Sequence, residues 1–594
     1  MATSHFLVGV NVAPRRRTTR RVAALKSSLV SIALPCSSGL LLAAAFPPIN
    51  FHWLAWCSLL PFGVAAGRRS ASLELYLGTY LGGLLFHLVG IDWMRTASAG
   101  TWLDGPRALS WFLTGQSMAT SWLVAIWCAR RLVLGRASPM ALALPLAWLT
   151  AEYFRLYLGV FVAGTQFPWL QLGHSQVQVL PLIQIADIAG VWGVSALVAA
   201  VGGGLYDALS VATRPSDRRY VRRAALSCAC VTVLLATAWL YGKWRLSQPI
   251  ERNGPVVYLM TASMIPRART ADSAQATIRA LSEIAVMADR PASNCSTAAP
   301  PDLLLWSEQV YGTPLVDWAP GVRRLPLSEL PYDASQLLTE DVIRRQPGIL
   351  TALERYARTA NATIVLGCSR VWLSHERGTR YNSTAIFDAR RGHVGYYDKS
   401  YLVPWNEYTP WLRVPGLVPI SVPYKSGDRC PLFSVRTRHS MRDCHFGTTI
   451  CYDTCFPSLH RRYVRSAAGS PDFFVTSSCE LIDATKRLAD AILTMAQFRA
   501  IECRRAIVRN VEGGHSGVID GSGRFALAPS ADEINRPVSV GRVPLDRRVS
   551  LYAYLGDWLP IVASLIVGLG AFSGRPSSRF RRFVQRGAIR AKIV

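Results

Sequence analysis

Apolar residues are not spread evenly along this chain. Up to about residue 245 they gather in seven stretches, 28–46, 51–66, 75–91, 108–128, 140–163, 188–205 and 224–240. Each is close to the roughly 17 to 25 residues a helix needs to cross about 30 Å of hydrocarbon. The second is short, and the fifth holds Glu152 and Arg155, whose i, i+3 spacing sets opposite charges on one helix face. From Gly254 the pattern shortens to β-rich runs separated by helical stretches, which predicts an α/β domain. Expected strands are 256–261, 302–306, 363–368, 383–388, 447–451 and 472–476. Residues 486–505 carry Leu488, Ile492, Met495 and Phe498 at i, i+3 and i+4 spacing and read as an amphipathic helix with a core face. An eighth apolar stretch, 555–572, follows, while the Ser/Ala/Pro/Asn run 291–301 reads as a loop.

Composition excludes a wholly soluble protein. Charged residues make up 17% against a soluble norm of about 25%, and mean hydropathy is +0.21. Half the chain is apolar and thirteen cysteines in 594 residues is an ordinary density, so disorder and a small disulfide scaffold are excluded too.

The net charge of +28 would suggest a nucleic-acid binder, but its placement argues otherwise. Basic residues fall in the tail before residue 28, in alternate loops (Arg68 and Arg69; Arg130, Arg131 and Arg136; Arg214 to Arg223) and after residue 574, 23 in all. The intervening loops hold only Arg95 and Arg107. Such alternation marks the cytoplasmic side of a membrane. It predicts a basic cytoplasmic tail (1–27), a seven-span membrane domain (28–245), an extracytoplasmic domain (246–550), a C-terminal span (551–573) and a second basic cytoplasmic tail (574–594). No small-residue cleavage site precedes a soluble domain, so the first apolar stretch reads as a span rather than a removed signal.

Three places in the soluble domain could carry chemistry. In L-L-L-W-S-E, 303–308, an aliphatic strand ends in Glu308; a carboxylate at a sheet edge is partly desolvated and suits a general base. In Y-Y-D-K-S-Y-L-V-P-W-N-E-Y-T-P, 396–410, Lys399 precedes an aromatic and proline-rich run that would hold its ammonium in place, and Glu407 follows. In F-G-T-T-I-C-Y-D-T-C-F-P, 446–457, a strand runs into Cys451 at a turn that would expose the thiol. Each taken alone is more often a solvated acid, a surface lysine or a core cysteine. A zinc site from Cys451, Cys455 and His445 lacks ligand spacing, and no metal is expected.

The order Glu, Lys, Cys in these contexts resembles the nitrilase superfamily. F-P-W-L-Q-L-G-H-S-Q at 167–176, Y-N-S at 381–383 and L-G-D-W-L-P before the last span narrow the resemblance, over roughly residues 46–572, to the apolipoprotein N-acyltransferases. That resemblance implies a polytopic helical membrane domain of about eight spans with an inserted nitrilase-like α-β-β-α sandwich. It implies transfer of an acyl chain from a phospholipid to the α-amine of a diacylglyceryl-cysteine apolipoprotein, through a cysteine thioester, at the periplasmic face of a bacterial inner membrane and without a cofactor. Cys451 would be the nucleophile, Glu308 the base and Lys399 the oxyanion-stabilising cation, with Glu407, Tyr452, Asp453 and Trp169 supporting. The alternative is a membrane-tethered nitrilase-type amidase, or an acyltransferase for another amine. A degenerate binding protein is a third reading, which the retained Glu, Lys and Cys argue against.

The chain departs from the family pattern at Ser307 (usually Pro), Asn406 (usually Gly) and Asp453 (usually Glu). Residues 477–482 read S-S-C-E-L-I where the family has N-D-A-W-F-G, and 264–270 lack its Gln, Asn and Lys-Trp. Pocket shape and substrate preference are therefore where this chain should differ. Cys430 and Cys444 bracket a short polar loop in what would be an oxidising space, and a disulfide is expected between them.

Overall fold

The computed structural model describes residues 14–69, 72–96, 107–213, 216–260, 299–319, 338–374, 378–410, 420, 422–481, 485–530 and 538–572. The segment 264–270, most of the loop 291–301, Arg214, Ile482 and the basic residues after 572 lie outside them.

Each expected apolar stretch falls in a helix. In the first half these are α1 (Pro14–Ala44), α2 (Ala55–Gly67), α3 (Leu73–Gly90), a short α4 (Trp93–Thr96), α5 (Arg107–Arg130), α6 (Met140–Ala163), a short α7 (Leu180–Ile183), α8 (Ala186–Ala212) and α9 (Arg218–Ser247). Further on come α10 (Glu340–Ala360), α11 (Pro457–Val464), α12 (Arg487–Cys503), α13 (Leu551–Leu555) and α14 (Trp558–Phe572). Among the described residues five helices, α1, α3, α6, α8 and α9, are long and apolar enough to cross a membrane. The other three expected crossings do not meet that standard. The 13 residues of α2 rise only about 20 Å, α14 has 15 residues, and α5 carries Thr114, Gln116, Ser117, Thr120 and Ser121 along its length.

The strands are β1 (Val256–Met260), β2 (Leu303–Trp306), β3 (Tyr311–Trp318), β4 (Thr363–Leu373), β5 (Gly378–Asp388), β6 (Gly392–Asp398), β7 (Leu432–Arg436), β8 (Asp443–Ile450), β9 (Phe473–Cys479), β10 (Ala506–Glu512), β11 (Ser516–Ile519), β12 (Phe525–Ser530) and β13 (Val538–Arg542). All six expected strands lie on β1, β2, β4, β5, β8 and β9. They form two sheets, one ordered β13-β1-β2-β4-β5-β6 with β3 also on β4, the other β12-β11-β10-β9-β8-β7. Val257, Leu305 and Tyr397 of the first sheet pack with Phe446, Phe474 and Val508 of the second, joined by Tyr463 of α11 and Ala496 of α12. On the outer face of the first sheet Leu353 and Tyr356 of α10 cover Leu304 and Ile364. The result is a four-layer α-β-β-α sandwich. β1, β2 and β4 run parallel, as do β8, β9 and β10. Their carboxyl ends thus form one edge, the ordinary place for a site in a parallel sheet.

That edge is seated on the membrane helices. Leu488, Ile492 and Met495 of α12 share an apolar cluster with Ile91, Met118, Phe167 and Trp169, and Phe498 and Ile501 share another with Leu149, Ile183 and Trp192. The face expected to be core is buried, but against the membrane part rather than within the sandwich alone.

The expected disulfide is absent. Cys430 and Cys444 are both free thiols. The Cys430 sulfur accepts a hydrogen bond from Arg462 Nε at 2.9 Å, whereas Cys444 lies buried on β8 opposite Val435.

Candidate active site

Glu308 follows the last residues of β2, where Ser307 to Gln309 turn against β4 at Gly367. A Cβ on Gly367 would lie 2.8 Å from both the Glu308 Cα and the Gln309 N and collide with the Ser307 carbonyl, so only glycine admits this approach. Lys399 follows β6, its N–H held by the Asn382 carbonyl at 2.8 Å. Cys451 follows β8 at φ 46°, a left-handed conformation that costs a non-glycine residue energy and turns the chain sharply into Cys451–Cys455. Three strand ends thus converge.

The Lys399 ammonium is buried and bridges two carboxylates, Glu308 Oε1 at 3.0 Å and Glu407 at 3.1 Å. The Asn382 amide donates to both, at 2.7 and 2.6 Å. The Cys479 N–H donates to Glu308 Oε2 at 2.9 Å and the Val403 N–H to Glu407 Oε2 at 2.7 Å. Burial opposes the charge on Lys399, but the two carboxylates outweigh it and hold its pKa well above the ordinary lysine value. Burial pushes the Cys451 thiol well up, Glu308 adds to that, and Lys399 opposes it.

Asp453 braces the bend. It accepts hydrogen bonds from Tyr397 (2.7 Å), Tyr401 N–H (2.8 Å) and Ile450 N–H (3.0 Å), and burial raises its carboxyl to about 6 against those donors. The Tyr452 ring stacks on Trp169 with centroids 5.9 Å apart, and Trp169 meets Trp93 at 5.3 Å.

Residues 38–204 match the apolipoprotein N-acyltransferase N-terminal domain family, and residues 330–552 match the carbon-nitrogen hydrolase family. An apolipoprotein N-acyltransferase of Geobacter metallireducens is 27% identical over 90% of this chain and 94% of its own. One of Gloeobacter violaceus is 25% identical over 96% of this chain and 98% of its own. The chain thus resembles these acyltransferases over nearly its whole length, with the N-terminal domain of that family preceding a carbon-nitrogen hydrolase domain. Among solved structures it is similar to the carbon-nitrogen hydrolase of Helicobacter pylori G27, at 12% identity over 56% of this chain and 98% of that one, with a TM-score of 0.33.

In this chain Cys451 opens on a mostly apolar cavity of about 180 Å³ between the sandwich and the membrane helices. Trp93, Met94, Ser110 and Thr114 contribute from the membrane side, and Trp405, Cys479 and Leu488 from the sandwich. The seven expected site residues therefore divide. Glu308, Lys399 and Glu407 form one bonded cluster beside Cys451, Tyr452 and Trp169 form the cavity wall, and Asp453 is a brace. Sequence reasoning did not assign Asn382, although it stands in the quoted Y-N-S. It also did not assign Ser478, which sits against the Cys451 thiol and donates to Glu480 Oε1 at 3.1 Å, with Glu480 in turn paired to Arg509. Sequence offered little signal for this pair: Arg509 follows the short apolar run Ala506 to Val508 but precedes Asn510 and Glu512, and only the fold shows it fully buried.

Proposed function

We propose that the chain transfers an acyl group from a phospholipid to the terminal amine of a diacylated apolipoprotein by way of a thioester on Cys451. The observation that carries this reading is the buried Lys399 ammonium bridging Glu308 and Glu407 beside a thiol on a strained bend that opens toward the membrane helices.

The thiol is held protonated by its surroundings, so its proton leaves as the sulfur attacks rather than beforehand. Glu308 takes that proton while the sulfur bonds to the ester carbonyl carbon. Negative charge collects on the carbonyl oxygen and faces the fixed Lys399 ammonium, which needs no rearrangement to meet it. The carbon–oxygen bond breaks, the departing lysophospholipid oxygen takes the proton from Glu308, and the acyl group stays on sulfur. The acceptor amine then attacks the thioester, Glu308 receives its proton, and the thiol is restored. Glu407 and Asn382 hold Lys399 and Glu308 in register. Every step uses groups of this chain and its two substrates.

The cavity supports a membrane-borne donor. Its lining is mostly apolar and is drawn in part from the membrane helices, which suits a hydrocarbon chain. The alternation of basic loops supports an orientation with both tails cytoplasmic and the sandwich, 246–550, outside, which would put the site at the periplasmic face of the inner membrane.

One experiment tests chemistry and sidedness together. Right-side-out vesicles containing a phospholipid with labelled acyl chains and the protein are given a diacylated lipopeptide externally. Label should move to the lipopeptide amine and, with no acceptor, accumulate as a hydroxylamine-sensitive ester on Cys451. Cys451→Ala should do neither, and transfer by that variant would overturn the mechanism.

A further inference from the structure

Two hydrogen-bond donors on residues that line the Cys451 cavity have no partner among the described residues. The Ser110 hydroxyl, near the start of α5, belongs to a residue 8% exposed, and the Trp405 indole N–H lies at the tip of the loop between Lys399 and Tyr408. Both are shut off from solvent, and each forgoes a bond that water would have supplied, which is costly unless something else supplies it. They belong to different parts of the fold, Ser110 to the membrane helices and Trp405 to the sandwich.

Trp405 is not a casual surface residue. Its backbone has φ 59°, in the left-handed region that a bulky side chain rarely adopts. The loop is closed at its base by Trp405 N–H to the Tyr408 carbonyl at 2.8 Å and by Glu407 N–H to the Val403 carbonyl at 2.9 Å. Glu407 in the same turn grips Lys399, and the Tyr408 hydroxyl donates to the Ala163 carbonyl at the end of α6, 2.6 Å away. The indole is therefore fixed both to the ammonium beside the nucleophile and to the membrane helices.

We propose that Ser110 and Trp405 form a subsite for a second, non-reacting ester carbonyl of the glycerolipid donor. This rests on the acyl-transfer reading of Cys451. Two neutral donors in an apolar wall match an uncharged acceptor; a phosphate or carboxylate would call for a cation, and among the residues lining this cavity none is basic. A diacyl glycerolipid brings such an acceptor a few bonds from the ester under attack, with a hydrocarbon chain that suits the remaining surface. Both residues act as positioning groups: they set where the reacting ester lies over Cys451 and take no proton.

The test uses the full-length protein in detergent–lipid micelles with diacylated lipopeptide as acceptor. Three donors share one head group: a diester, and the two isomers in which one chain is joined through an ether. The isomer whose remaining ester is transferred is compared with the diester. The unsubstituted protein should show a KM for the diester about 5-fold or more below that for the ether donor, the size expected for one neutral hydrogen bond. Trp405→Phe and Ser110→Ala should each bring the two KM values together, and variants that still form the Cys451 thioester at saturating donor are folded. Equal KM values in the unsubstituted protein, or the same ester preference retained in both variants, would overturn the subsite. Transfer from none of the three donors would overturn the acyl-transfer reading and the subsite with it.

Discussion

Cys451 sits where its ionised form is disfavoured, and the direction of each influence can be tested separately. Burial raises the thiol pKa most, the Glu308 carboxylate raises it further, and the Lys399 ammonium lowers it. Glu308→Gln removes a raising influence, so more thiolate is present at a given pH and alkylation of Cys451 by iodoacetamide should accelerate between about pH 7 and 10. Acyl transfer in the same variant should fall at least about 10²-fold, because the proton acceptor is gone. Lys399→Met should slow alkylation and transfer together. Mass spectrometry of the Cys451 peptide against time and pH gives the first rate, and labelled-chain transfer the second. If alkylation and transfer fell in parallel in Glu308→Gln, the carboxylate would instead act by ionising the thiol before substrate arrives.

At the scale of elements, the site depends on how closely β4 approaches the turn after β2. Gly367→Ala would press a methyl into the Ser307–Gln309 backbone, which can only move away and carry Glu308 with it. A shift of about 1 Å in a catalytic group costs roughly 10²-fold in rate, and the overpacking about 1 to 3 kcal/mol. Gly348→Ala is the matched control, since it lies in α10 with open space around it and should leave turnover unchanged while stabilising the helix by about 0.5 to 1 kcal/mol. Turnover and thermal inactivation of the two variants distinguish the cases. The same elements show what periodicity reveals. β2 is legible because the aliphatic run Leu303 to Leu305 ends at polar residues before Glu308, and β8 because the strand-like run Phe446 to Ile450 leads into Cys451. β10 is not, because Arg509, Asn510 and Glu512 interrupt it. In the fold Arg509 pairs with Glu480 just past the neighbouring strand β9, and the Asn510 amide donates across the sandwich to the carbonyls of Met260 and Leu305 at 2.9 and 2.7 Å. Partners so distant in sequence leave no local pattern. The Cys430–Cys444 expectation failed for a related reason: proximity in sequence did not foresee that Arg462 would occupy the Cys430 sulfur.

For the whole molecule the question is what keeps the sandwich in register with the helices that complete its cavity, since Trp405 and Ser110 belong to different parts. Much of the answer is at Asp187, in the first turn of α8 and one residue before the apolar stretch that hydropathy picks out. Its carboxylate receives Arg245 Nε of α9 at 2.7 Å, Arg504 Nη2 from the end of α12 at 2.6 Å, and the Tyr241 hydroxyl at 2.8 Å. Arg504 also donates to Gln184 Oε1 at 2.7 Å, and Ser550 ties the Asp187 and Glu502 carbonyls together. Two guanidiniums thus share one buried carboxylate at the junction. Removing that charge strands both, and breaking a buried pair in this way costs roughly 3 to 5 kcal/mol. Asp187→Asn should therefore lower the temperature of inactivation in detergent and speed proteolysis of the connection between α9 and β1. Arg504→Met in that background removes one stranded charge and should recover part of the loss. The same Arg504→Met change in the unsubstituted protein should destabilise it, so the effect of one substitution reverses sign with the state of the other. Such a reversal is the signature of a direct charge pairing across the junction, and additive losses would assign the coupling instead to the apolar contacts of α12 alone.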